Sequence, residues 1–504
     1  MICYIILKGI GYMKKVNMLI NPLDRKSYIH KEIYGHFTEH LGRCIYNGIY
    51  VGEDSPIPNT RGIRNDIIEA FKQIKVPVLR WPGGCFADTY HWKDGIGPKS
   101  ERPGIMNVNW GNVTEDNSFG THEFFDLCEL VGAEPYLAGN LGAGTAQELA
   151  EWVEYITFDG KSPMTDLRRK NGRDEPWKLK YLGIGNESWG CGGNMQVQHY
   201  ADEYRRYSSF CRNYSGNKLY KVACGSDEKW NEQLLTNLKS DIAPDLAKAI
   251  TLHYYTIIGE TFEHKGSATN FTEDEYYWCL RNTQCVDDII DRHSKIMDIQ
   301  DPDKKIGLIV DEWGCWFDVE PGTNPSFLYQ QNTMRDAIIA AIYLNIFNAH
   351  SNRVVMANLA QAVNVLQSII LTDGEYMIKT PTYHVMDMFK EHMDSTLLYS
   401  TIENEVENEA TCLSQSVSIE DEGKIHITIA NTSLHKDFKV ECTIPYANIN
   451  LASARILTGD VRAHNTFDNP DNVKIADYNV RIIDSGIEFN MPQCSIVAIE
   501  IIMV

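Results

Sequence analysis

No run of the chain approaches the ~18 consecutive apolar residues of a membrane helix, so no helical span is expected. Basic residues are outnumbered. The 47 Lys and Arg against 68 Asp and Glu leave a formal charge of −21, which argues against nucleic acid or an anionic membrane as partner. The 13 cysteines include no C-x-x-C pair. Cys128, Cys211, Cys224 and Cys279 fall inside apparent helices or strands and read as small buried hydrophobes. An odd count without a disulfide framework reads as reduced thiols in a cytoplasmic protein. Met1-Ile2-Cys3-Tyr4-Ile5-Ile6-Leu7 is apolar but has no leading basic residue and no clear cleavage site. It is expected to be neither signal peptide nor span. Met13-Lys14-Lys15 reads as an alternative start, which would make residues 1–13 a disordered extension. Internal repeats and low-complexity segments are absent from the sequence.

What is present is alternation. Short apolar runs at 33–40, 76–80, 134–138, 179–184, 221–225, 249–255, 306–310 and 353–358 read as strands. Between them, apolar residues recur at helical spacing over 64–71, 121–131, 146–156, 198–214, 234–249, 275–297 and 332–347. Eight strands with helical crossovers predict an α/β fold, a (β/α)8 TIM barrel. After a further helix over 382–392 the pattern changes to short alternating strands and polar turns. That tail predicts an antiparallel β-sandwich, which the strand near residue 18 is expected to complete. The expected division is 1–13 extension, 14–30 sandwich strand, 31–394 catalytic barrel and 395–504 sandwich. A loop over 87–117 carries Tyr90, His91, Trp92 and Trp110. Its length and its aromatics, flat faces on which sugar rings stack, suggest a functional loop.

Two strand ends carry chemistry. One run closes in Gly185-Asn186-Glu187-Ser188-Trp189, the other in Asp311-Glu312-Trp313-Gly314. C-terminal strand tips are where barrel enzymes keep their active sites. A single Glu there is most often just a solvated strand end. Two in matching contexts, about 125 residues apart, fit the fourth and seventh strands of one barrel. They could then face each other as proton donor and nucleophile of a retaining glycosidase, whose carboxyls sit ~5–5.5 Å apart. At that distance like charges keep one carboxyl protonated while the other is ionised.

Further residues make the pattern specific: Gly35-His36-Phe37-x-Glu39, Arg80-x-Pro82-Gly83-Gly84, His253-x-Tyr255 and Asn358-x-Ala360-Gln361. With these the chain resembles the α-L-arabinofuranosidases of glycoside hydrolase family 51, from about Lys14 to its end. The resemblance implies a barrel with a sandwich that includes an N-terminal strand. It implies an exo-acting, retaining hydrolase of terminal α-L-arabinofuranosyl residues on arabino-oligosaccharides, arabinan or arabinoxylan fragments. Glu187 would be the acid/base and Glu312 the nucleophile. Glu39, Asn186 and Gln361 would bond the furanose hydroxyls, Tyr255 would orient the nucleophile, and Cys85 would line the sugar subsite. His253, on one strand face with Tyr255, joins the substrate-binding set. A homohexamer is implied, with no metal and no cofactor. Ser188 stands where many relatives carry Met.

Rival readings exist. His36-Phe37-Thr38-Glu39-His40 fits H-x-x-E-H, but the flanking Gly35 and Gly42 and the apolar Ile33-Tyr34 read as strand. There the two histidines would lie ~13 Å apart, too far to share a zinc. A non-catalytic carbohydrate-binding protein is left little room by the paired glutamates. β-Xylosidase or endo-β-glucanase activity would use the same pair, and only loop shape discriminates. Asn112, Asn213 and Asn270 head glycosylation sequons, and so does Asn186, which fits a protein that never meets that machinery.

Overall fold

The computed structural model describes residues 13–239 and 246–503. All but Met13 of the expected extension lies outside the described residues, as does part of the helix expected over 234–249. Eight parallel strands close into a barrel: Gly35–Phe37, Val78–Trp81, Glu134–Gly139, Tyr181–Ile184, Tyr220–Ala223, Ala249–Thr256, Gly307–Cys315 and Val354–Ala360. Its lumen is packed by Val78, Tyr136, Tyr181, Val222, Ala249, Ile309 and Met356. The barrel is therefore a filled core whose polar groups gather at the strand C-termini. A second apolar layer lies between the strands and the surrounding helices.

Several boundaries move for local reasons. Of the first expected strand, only Gly35–Phe37 pairs, and Lys31–Tyr34 is a 3-10 turn. A Cβ at Gly35 would come within 2.4 Å of Val78 Cγ1, so the neighbouring strand tolerates only glycine there. The helix expected over 234–249 is instead Glu228–Leu238, started by the Asp227 side chain accepting from the Trp230 backbone N–H. A helix at Pro163–Lys170 went unpredicted. Its Ser162 cap and first-position Pro163 are sound start signals on a mostly polar segment. The 87–117 loop is built of 3-10 turns and a hairpin pairing Ile105–Asn107 with Val113–Glu115.

The chain beyond the barrel, from Ser395, forms with the N-terminal strand a ten-stranded sheet. Lys14–Ile29 sits within it, antiparallel to Ser395–Ile402 and parallel to Phe438–Thr443. Val16, Met18 and Ile20 are buried while Lys15, Asn17 and Leu19 are exposed, the period of a half-buried strand. The strands form one continuous hydrogen-bonded sheet folded over a single apolar core. Met334–Ala349 is buried almost all round because it is wedged between barrel and sheet. Asn345 and Asn348 on this helix donate to Ser414 and Ser416 of the sheet.

Candidate active site

Glu187 follows the fourth barrel strand and Glu312 lies within the seventh. The chain reaches Glu187 through Gly185 at φ +85°, and Glu187 itself sits at φ +40°. The seventh strand does not stop before Glu312, as expected, but continues to Cys315. Its pairing register slips between Val310 and Trp313 on one side and opposite Thr251 and His253 on the other. Such a bulge re-aims side chains. It explains how adjacent residues of a strand, Asp311 and Glu312, both reach Arg80, by 3.3 Å from Nε and 2.9 Å from Nη1. The facing oxygens of Glu187 and Glu312 lie within 4.8 Å of one another. Such closeness suits the ~5–5.5 Å carboxyl spacing of a retaining pair and is too short for the ~6.5–9.5 Å of an inverting one.

The two carboxyls have different surroundings. Glu312 is clamped on both oxygens, by Arg80 and by the Tyr255 hydroxyl at 2.8 Å. Glu187 Oε1 faces His253 Nδ1 at 2.9 Å, while Oε2 faces the sulfurs of Cys191 and Cys85 at 3.4 and 3.9 Å. The other His253 nitrogen contacts Asp311 Oδ1 at 3.1 Å. Burial opposes charge on His253, but the Glu312 and Asp311 carboxylates outweigh it and hold the ring well above its usual range, as a cation. Burial likewise opposes ionisation of Asp311. Arg80 and His253, helped by the Tyr136 hydroxyl at 2.9 Å, hold it below the usual carboxylate range.

Across the pocket, Glu39 Oε1 accepts from the backbone of Gly84 and Phe86 and from Trp110 Nε1 at the hairpin tip, and Oε2 accepts from Gln361. Burial first, and the charge of Glu312 second, push Glu39 up to about 7. Asn186 Oδ1 accepts from Arg80. Among the buried polar atoms left without a partner are Asn186 Nδ2 and Gln361 Oε1, both on residues whose other side-chain atom is bonded at this site. Buried polar atoms normally have partners, so both point to a polar ligand. Gly84 approaches the centre closely. A Cβ there would lie 2.7 Å from Glu312 Oε1 and 3.4 Å from Asn186 Nδ2. The Trp81–Pro82 and Ala360–Gln361 peptide bonds, both cis, flank the site.

All eight residues singled out from sequence thus gather at one end of the barrel. Both nitrogens of His253 are taken by carboxylates, leaving none for a sugar. Cys85 is bonded to Cys191, which corrects the expectation of uniformly reduced thiols. A separation of 106 residues carries no framework signal, and the pair forms because two mouth loops meet over Glu187. Tyr90 and Trp92 of the long loop are core packing, and only Trp110 enters the site. The zinc reading fails. His36 and His40 are fully buried on a strand and its following loop, and His40 accepts from Trp81 Nε1. Sequence reasoning gave no role to Arg80, Asp311 or Asp88. An Arg inside a buried strand was the available signal for the first. Asp88 accepts from the backbone of Leu141, Gly142 and Asn186 beneath the Glu187 turn.

Residues 70–265 match the family description "Alpha-L-arabinofuranosidase 1 domain" and residues 311–495 match "Alpha-L-arabinofuranosidase C-terminal domain". An intracellular exo-alpha-L-arabinofuranosidase of Bacteroides ovatus is 49% identical, over 98% of this chain and 97% of that one. The crystal structure of a family 51 arabinofuranosidase from Xanthomonas axonopodis pv. citri superposes with a TM-score of 0.94 at 41% identity, covering 97% of this chain and all of that one. An arabinose complex of the Thermotoga maritima alpha-L-arabinofuranosidase gives 0.86 at 33%, with 97% and 100% covered.

Proposed function

The chain belongs to the α-L-arabinofuranosidases of glycoside hydrolase family 51, and we propose that it acts through Glu312 as nucleophile and Glu187 as acid/base. It is an exo-acting, retaining glycoside hydrolase that releases terminal α-L-arabinofuranosyl residues. The observation that carries the residue roles is the asymmetry of a close carboxylate pair. Glu312 is held on both oxygens by cationic and hydroxyl donors, as an ionised nucleophile requires. Glu187 has one oxygen engaged by His253 and the other free of any hydrogen-bond donor, since a bonded disulfide carries no S–H. A proton on Oε2 therefore faces the mouth, where the leaving oxygen arrives.

In the first step Glu312 attacks the anomeric carbon. The glycosidic bond breaks, and the leaving oxygen takes the Glu187 proton. In the second step Glu187 takes a proton from water, the hydroxide oxygen bonds the anomeric carbon, and Glu312 is released. The unpartnered Asn186 Nδ2 lies close to Glu312 and is placed to meet a sugar hydroxyl that gains charge as the oxocarbenium-like state forms, which is differential binding. Glu39 and Gln361 hold the remaining hydroxyls, and Tyr255 orients the nucleophile. Cys85 lines the subsite beside Glu187.

The natural substrates are arabino-oligosaccharides or fragments of arabinan or arabinoxylan. A cytoplasmic location, supported by the name of the Bacteroides ovatus relative, favours short imported oligosaccharides. The resemblance also supports a homohexamer, which sedimentation velocity checks. The substrate test compares aryl α-L-arabinofuranoside, aryl β-D-xyloside and a soluble β-glucan side by side. Strong release from the first alone is expected. Dominant β-glucan cleavage would keep the carboxylate pair but overturn the assignments of Glu39, Asn186 and Gln361.

A further inference from the structure

We propose that, once its disulfide is reduced, the Cys85–Cys191 pair forms with Glu187 an inhibitory binding site for a soft divalent cation of the zinc class. The two sulfurs and Glu187 Oε2 are three donor atoms within 4.8 Å of one another. Two thiolates and a carboxylate are a ligand set that zinc takes readily, with water in the fourth position. A tetrahedral site with Zn–S of about 2.3 Å and Zn–O of about 2.0 Å has S···O edges of roughly 3.5 Å and an S···S edge of roughly 3.8 Å. The observed S···O distances, 3.4 Å from Cys191 and 3.9 Å from Cys85, already lie near that edge. Only the sulfur–sulfur contact must open on reduction, from a bond to ordinary contact. Cys191 is exposed at the mouth between Gly190 and Gly192, so a cation can reach it.

The neighbouring trio of Glu187, His253 and Glu312 is equally compact but cannot serve. Both nitrogens of His253 are engaged by carboxylates, leaving none for a cation. A cation at the cysteine pair would instead sit on Oε2, the atom that must give and take the catalytic proton. The chain needs a reductant to expose this site. A cytoplasmic thiol pool supplies one. In the test tube a phosphine does so, becoming its oxide with oxygen from water, whose two protons cap the two sulfurs. Metal binding then releases those protons.

Inhibition rests on Glu187 being the acid/base, whereas binding does not, so the experiment reads both. Full-length enzyme, reduced with a phosphine or left oxidised, is titrated with Cd2+ while thiolate-to-cadmium ultraviolet absorption is recorded. Hydrolysis of an aryl α-L-arabinofuranoside is followed in parallel with Zn2+ and then with a chelator. The reduced enzyme should bind one cadmium per chain and lose activity on the order of a hundredfold in zinc, the scale of general acid–base catalysis, with recovery on chelation. The oxidised enzyme and the Cys191→Ser variant should do neither. Cys285→Ser, which removes the other exposed thiol among the described residues, should behave as the parent. Equal titration and inhibition of Cys191→Ser, or no absorption in the reduced parent, would overturn the site. Absorption without loss of hydrolysis would keep the site and overturn the acid/base role of Glu187.

Discussion

Tyr255→Phe removes one atom from the nucleophile's clamp and nothing else. The hydroxyl donates to Glu312 Oε2 at 2.8 Å, while Arg80 keeps Oε1 at 2.9 Å. The ring itself packs edge-on against Trp316 at 5.1 Å, a contact phenylalanine retains. A hydrogen bond to a charged group contributes ~1.5–3 kcal/mol. If that energy holds the carboxylate in its attacking rotamer, its loss lowers kcat/KM by about 10- to 150-fold, at ~1.4 kcal/mol per decade. The change should fall on kcat, with KM for an aryl α-L-arabinofuranoside nearly constant, because the hydroxyl touches the nucleophile rather than the sugar. Steady-state kinetics on the folded variant, with its melting temperature as control, give the answer. A loss under about threefold, or a loss confined to KM, would refute the orienting role.

Further expectations concern the same centre. Glu312→Ala should cut turnover by at least about 10^4-fold, and azide should restore activity with an inverted glycosyl azide as product, read by NMR. Gly84→Ala places a methyl 2.7 Å from Glu312 Oε1. Pushing the nucleophile aside should cost kcat/KM roughly a hundredfold. Glu39 has its folded pKa raised to about 7, above an unfolded value near ~4.3. Between the two, the folded enzyme holds a proton that the unfolded chain has released, so this group makes stability fall as pH rises through the window. Glu39→Gln should flatten that slope by up to about 1.4 kcal/mol per pH unit, measured by denaturant unfolding from acid to neutral pH. Asp88, also raised to about 7 by burial, keeps part of the slope.

The barrel and its two glutamates were legible because they depend on short-range pattern. Buried strands read as apolar runs, and a carboxylate at the end of such a run is unusual enough to notice. What escaped notice depends on contacts across the mouth. The bulge at Val310–Trp313 leaves no mark on composition, yet it turns Asp311 as well as Glu312 toward Arg80. Trp110 stood out only as one of four aromatic side chains on a long loop, and the hairpin that carries it to Glu39 is two three-residue strands. The Cys85–Cys191 bond joins loops after the second and fourth strands, a proximity set by barrel closure. The helix expected over 234–249 was misplaced because apolar periodicity was weighed and the Asp227 cap was not.

The central claim is that a covalent arabinofuranosyl intermediate forms on Glu312 and is resolved by Glu187. A Glu187→Ala variant supplied with 2,4-dinitrophenyl α-L-arabinofuranoside isolates it. The activated leaving group needs no proton for the first step, whereas the second step lacks its base. Intact-mass and peptide mass spectrometry should find one pentosyl adduct per chain, on the peptide that contains Glu312. An adduct on another carboxylate, or rapid release of inverted sugar without any adduct, would contradict the account.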